Sequence, residues 1–156
     1  MTLSIASTTS AIGRGLVAGL AGTAAMTLSS SLEARLRHRA ASSAPARAMA
    51  KALGIKEFED AVAEARFNDL AHWGYGTGWG VLRGLLDAAG LPAGKASAMH
   101  GAILWGASLG TLPVLEVVPP VVFWPKEEIA IDALHHIVYT IAAGLAYEAM
   151  GNGRDA

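Results

Sequence analysis

The sequence predicts an all-α integral membrane protein, a four-helix bundle running up, down, up and down. Three observations carry that expectation. Apolar residues make up 53% of the 156-residue chain and charged residues only 16%, with a mean hydropathy of +0.38, which is more apolar and less charged than soluble domains usually are. Four stretches, about 11–32, 69–90, 96–116 and 128–150, match the roughly 20 apolar residues that a bilayer core requires. The link Leu91-Pro92-Ala93-Gly94-Lys95 is a short turn that makes the second and third spans antiparallel neighbours. The length suits a single domain over 1–156.

The same composition excludes several function classes. A formal charge of -1 with no concentrated basic face argues against nucleic acid as a partner. The absence of cysteine rules out disulfides, thiolate metal sites and cysteine nucleophiles.

Residues 1–10 are rich in Ser and Thr and read as a frayed lead-in to the first span. A cleaved signal peptide is the competing reading, but Arg14 is the only base ahead of the apolar run, and the run exceeds a normal signal core. Gly15 and Gly19, with Gly22 and Ala25, give this span a smooth face suited to close helix approach. Arg35, Arg37 and Arg39 follow it and suit a cytoplasmic interface. The polar loop 34–67 contains a short amphipathic helix expected on the membrane surface, starting near Ser42-Ser43-Ala44-Pro45 and stopping at Gly54. Lys56 to Arg66 reads as a second charged helix or a solvated loop.

The second span carries Gly74-Tyr75-Gly76-Thr77-Gly78-Trp79-Gly80. A phosphate-binding loop fails on context, because no strand precedes the run and no Gly-Lys-Ser/Thr closes it. On a helix, Gly76, Gly80 and Gly84 fall at i, i+4 and i+8 and form a packing ridge, a natural place for self-association. The third span includes Gly106 and Gly110 and is weakened by Pro113, and Pro119-Pro120 stops it. A Trp-containing interfacial segment, Val121 to Pro125, leads to the fourth span, and the last residues are polar.

A tandem two-helix repeat is visible in the polar residues. The first and third spans end in Glu33 and Glu116, while the second and fourth open with Asp-x-x-His, at Asp69/His72 and Asp132/His135. Alternating helices bring those ends to one membrane face, where all six side chains can converge. Positions three apart differ by about 60° around a helix and can share an ion. Two glutamates plus two acid-x-x-His pairs follow the ligand logic of di-metal bundles, with iron, manganese or zinc the suitable transition metals. The plainer alternative is a structural or proton-carrying cluster of interfacial polar groups. In either case Glu128, Asp132, His135 or His136, and Tyr139 form one polar stripe on the last helix.

A second polar layer follows from helix rise. Glu148 lies 16 residues beyond Asp132, about 24 Å along the helix. Arg83, His100 and Glu148 therefore belong near the opposite face, with an Arg83 to Glu148 ion pair expected. Lys and Arg number eight on the side of loops 34–67 and 116–127 against four on the other side, which places both termini outside the cytoplasm.

From the second span onward the chain resembles the YagU-like family of small bacterial inner-membrane proteins, a domain of unknown function. The residues that carry the likeness are Leu112-Pro113, Pro119-Pro120, Phe123-Trp124-Pro125, the acids Glu128 and Asp132, and His136 followed by Tyr139. The resemblance implies a multi-pass inner-membrane location and a role in acid tolerance, with His136 rather than His135 as the family's histidine. The leading expectation is thus a small polytopic protein in the lipid bilayer whose acid and histidine cluster handles protons or a cation. A di-metal membrane enzyme and a structural or assembly protein, self-associating or bound to another membrane protein, stand beside it.

Overall fold

A computed structural model of the chain describes residues 5–40 and 42–152. Over these the protein is all-helical, with α1 (Ile5–Leu36), α2 (Ala44–Ala52), α3 (Ala61–Ala88), α4 (Ala93–Val114) and α5 (Lys126–Asn152), plus a single 3-10 turn at Val121–Phe123. The four long helices pack pairwise, α1 against α3 and α5, and α4 against α5 and α3. Side-chain pairs fix their directions. Gly15 meets Gly80 and Gly84 while Thr27 meets His72, so α1 and α3 are antiparallel. Gly22 lies against Tyr139 and Ser29 against His135, so α1 and α5 are antiparallel too. Ser97 beside Gly144 and Trp105 bonded to Asp132 give the same relation between α4 and α5. The core lies between them, around Ala18, Leu104, Tyr139, Ala143 and Tyr147.

Helix ends differ from the sequence expectation in informative ways. Residues 5–10 belong to α1 instead of a frayed lead-in; the rest of that lead-in and the polar tail from 153, including Arg154, lie outside the described residues. α3 starts at Ala61 because the Asp60 carboxylate accepts the Ala63 N–H at 2.7 Å and caps the first turn. The charged stretch before the second span is therefore partly the opening of α3. Two helices among the described residues, over Ser7–Leu36 and Lys126–Gly151, are long and apolar enough to cross a membrane. In α3 and α4 the many glycines, with Asp69, Arg83 and Asp87 in one and Lys95 and His100 in the other, dilute the apolar character.

α2 is held against the protein. Its Ala44 and Ala46 are buried, it packs on α3, and Lys51 Nζ reaches the Glu116 carboxylate at 3.7 Å and the Glu116 carbonyl at 3.3 Å.

The glycine ridge is consumed within the chain. A Cβ at Gly80 would stand 2.6 Å from Gly19 Cα and collide with the Gly15 carbonyl, and one at Gly84 would collide with the Ala11 carbonyl. α1 supplies the partner surface through Gly15 and Gly19, so the two backbones touch directly. The neighbouring row of Gly74 and Gly78, and Gly106 with Gly110 on α4, have nothing within 4 Å.

Four helices end in the same way, with a left-handed residue after the last turn and a six-to-one backbone bond closing it. Gly54 and Gly90 take that position after α2 and α3, but His38 (φ 52) and Glu116 (φ 52) take it after α1 and α4. A side chain there crowds the following carbonyl, a cost glycine avoids. His38→Gly and Glu116→Gly are each expected to stabilise the fold by about 0.5–1 kcal/mol, read as a raised unfolding midpoint. Losing the exposed Lys51 to Glu116 pair offsets little of this, because Lys51 keeps its bond to the Glu116 carbonyl.

Candidate functional site

Where α1 stops and α5 starts, the packed helices hold a network of charged groups. The Glu33 carboxylate accepts from Arg39 Nε at 2.9 Å and Arg37 Nη1 at 3.2 Å, and it also pairs with Arg39 Nη2. Arg37 spans to α5, donating to Glu128 and lying 3.8 Å from Glu127. Glu128 first, then Glu33, push the Arg37 guanidinium above its ordinary value, so this clasp between the helices stays charged.

His135 sits directly inward of that network. It is 6% exposed, its Nδ1 is 2.8 Å from Ser29 Oγ, and its Nε2 has no hydrogen-bond partner and faces Glu33 Oε2 at 3.8 Å. A buried imidazole fixed by one nitrogen and pointed at a carboxylate by the other is a group that can take a proton and gain an ion pair.

His72 is half-buried against α1. The Thr27 hydroxyl donates to the Thr23 carbonyl at 2.7 Å, so its oxygen accepts from His72 Nε2 at 2.8 Å, and this fixes the His72 tautomer. Asp69, one turn earlier, is exposed.

Asp132 and His136 form a separate group facing α4. Asp132 accepts the Trp105 indole N–H at 2.8 Å. His136 Nδ1 donates to the Asp132 carbonyl at 2.8 Å, lying 3.6 Å from the carboxylate, and its Nε2 is 3.5 Å from Ser108 Oγ. A groove of about 270 Å³ between α4 and α5 opens beside His136, Trp105 and Thr140. Tyr139 turns inward, 1% exposed, with its hydroxyl donating to the Gly76 carbonyl at 2.6 Å.

The six residues of the expected metal site do not converge on one point, although Glu33 and His135 face each other at 3.8 Å. Glu33 is committed to two arginines, His72 and His135 to hydroxyls on α1, and Asp132 to Trp105. Glu116 follows the last turn of α4 and points outward, its side chain 88% exposed. Among the described residues no three His, Asp or Glu side chains gather in a way that holds a metal ion.

At the opposite ends of α1 and α5 Arg83 is wholly buried and pairs with Glu148. Its Nε reaches Ser97 Oγ at 3.3 Å, and its guanidinium lies 4.3 Å from the Tyr147 ring centre. Arg14 approaches the same ring at 4.5 Å and pairs with Asp87 at 3.1 Å, while the Tyr147 hydroxyl donates to Asp87 at 2.8 Å. His100, fully buried, bonds the Trp79 carbonyl through Nε2 at 3.0 Å and stacks edge-on with Tyr139. Arg14, Asp87 and Tyr147 are not among the candidate site residues read from the sequence. The four-residue spacing of Arg83 and Asp87 was the available signal for the acid.

No family model, curated protein or solved structure matches this chain.

Proposed function

We propose that this is a small multi-pass protein of the bacterial inner membrane whose buried histidine and acid cluster binds and passes protons. The observation that carries the proton reading is His135, buried, held by Ser29, with a free Nε2 aimed at Glu33. Protonation gives Nε2 a donor for Glu33, and loss of the proton releases that acid to Arg37 and Arg39 alone. Ionisable groups at bilayer depth are costly and are kept where they do work.

The membrane part of the proposal draws on the apolar surface. Only 33% and 28% of the two most apolar helical windows are buried inside the protein. Leu16, Val17, Leu20, Leu28 and Leu32 on α1, and Leu134, Ile137, Ile141 and Leu145 on α5, are at least 40% exposed. Lipid is the solvent that suits such belts. In this reading α3 and α4 cross as well, their polar groups turned to the bundle interior, and the likeness to the YagU-like family makes acid tolerance the setting.

Reconstituted into vesicles with an enclosed pH-sensitive dye, the wild-type protein is expected to dissipate an imposed pH gradient. His135→Gln and Glu33→Gln are each expected to slow this at least tenfold. Undiminished flux in both variants refutes the assignment to His135. If Asp132→Asn or His136→Gln alone stops flux, the pathway runs along the α4 and α5 groove instead.

A further inference from the structure

We propose that the outer face of α1 holds one anionic phospholipid, with its phosphate seated against Arg35 and His38 and its chains lying along the helix. This rests on the membrane reading above. An open cavity of about 470 Å³ lies at the end of α1, lined by Ser31, Ala34, Arg35, His38 and Arg39. Of its two arginines Arg39 is paired with Glu33, and Arg35 supplies the charge that is not already spent. Glu33 is taken up by Arg37 and Arg39, and Glu128 by Arg37. Arg35, exposed on the outer face, forms no ion pair among the described residues. Its guanidinium presents a planar fork of donors suited to phosphate oxygens. His38 adds an imidazole donor from a left-handed position that turns the chain back over the helix end.

What separates this cavity from a general anion site is the surface below it. Leu28 stands seven residues before Arg35, two turns along the same face, and Leu32 is three before it; they are 74% and 60% exposed. Val17 and Leu20, 55% and 48% exposed, continue the apolar track away from the charged end. A cationic pocket at the interface above a strip of leucines running towards the bilayer centre matches the two ends of one amphiphile, and the positive charge selects an anionic headgroup over a zwitterionic one.

The test uses the whole protein, purified in zwitterionic detergent and titrated with phosphatidylglycerol or phosphatidylcholine, with retained lipid read by native mass spectrometry. Wild type is expected to retain phosphatidylglycerol at least tenfold over phosphatidylcholine. The double variant Arg35→Gln, His38→Gly is expected to lose that preference and keep its fold, because glycine relieves the strained position. Equal selectivity in the variant, or none in the wild type, overturns the site. Glycerol phosphate competing as well as the lipid overturns the lipid as occupant and leaves a phosphate site. A chain that fractionates without detergent as a soluble protein fails the membrane reading itself, whereas one that stays in the membrane yet lacks selectivity fails only here.

Discussion

Gly80→Leu is expected to destabilise the protein by at least about 3 kcal/mol, above the usual range for overpacking a core. Overpacking is normally relieved when neighbouring side chains change rotamer. Here the atoms in the way are backbone, the Gly15 carbonyl and Gly19 Cα, and they cannot rotate aside. Admitting even one methyl group means moving α1 away from α3 along the two turns from Gly15 to Gly22. That displacement also pulls Thr27 from His72 and Gly22 from Tyr139. Gly84→Leu is expected to act similarly through the Ala11 carbonyl. Gly78→Ala and Gly106→Ala are the controls, with open space beside each, and helix propensity predicts that they stabilise by up to about 1 kcal/mol. Denaturant titration in micelles measures all four. Comparable losses at Gly78 and Gly80 would refute the close approach of α1 and α3.

The glycine ridge shows how far the sequence was legible. Its spacing was readable at once, because i, i+4 and i+8 place Gly76, Gly80 and Gly84 in one row whatever the fold. Its partner was not, since a smooth face fits another copy of the chain as well as it fits Gly15 and Gly19. The long helices were likewise legible from apolar runs, and the turn between α3 and α4 from Leu91-Pro92. The start of α3 was missed because Asp60, a single capping carboxylate, moves a helix boundary without leaving a periodic signal.

The candidate site was legible as residues but not as an assembly. Sixty degrees of helix rotation suffices to let two side chains share an ion, and where a helix packs against two others it also suffices to send them to different neighbours. Asp132 meets Trp105 on α4, whereas His135, three residues on, meets Ser29 on α1. Asp69 and His72 divide in the same way, one exposed and the other bonded to Thr27. Glu116 is carried off by the left-handed turn that ends α4.

Breaking the Arg83 to Glu148 pair is expected to produce the next largest effect, and the two halves of the pair should not be equivalent. Arg83 is fully buried while the Glu148 side chain is 41% exposed. Glu148→Leu leaves a guanidinium in the interior without its ion-pair partner, beside Ser97 and the Tyr147 ring, and a buried charge stripped of its counterion costs about 3 kcal/mol. Arg83→Leu leaves a carboxylate that can turn to solvent and fills part of the vacated space with a hydrocarbon chain, so about 2 kcal/mol is expected. The double variant Arg83→Leu, Glu148→Leu should be less destabilised than Glu148→Leu alone, because it buries no unpaired charge. An unfolding cycle over the wild type and the three variants measures this. If Arg83→Leu were the more damaging single change, the weight would lie in the packing of its stem against Tyr147, with Arg14 on the same ring sharing the load.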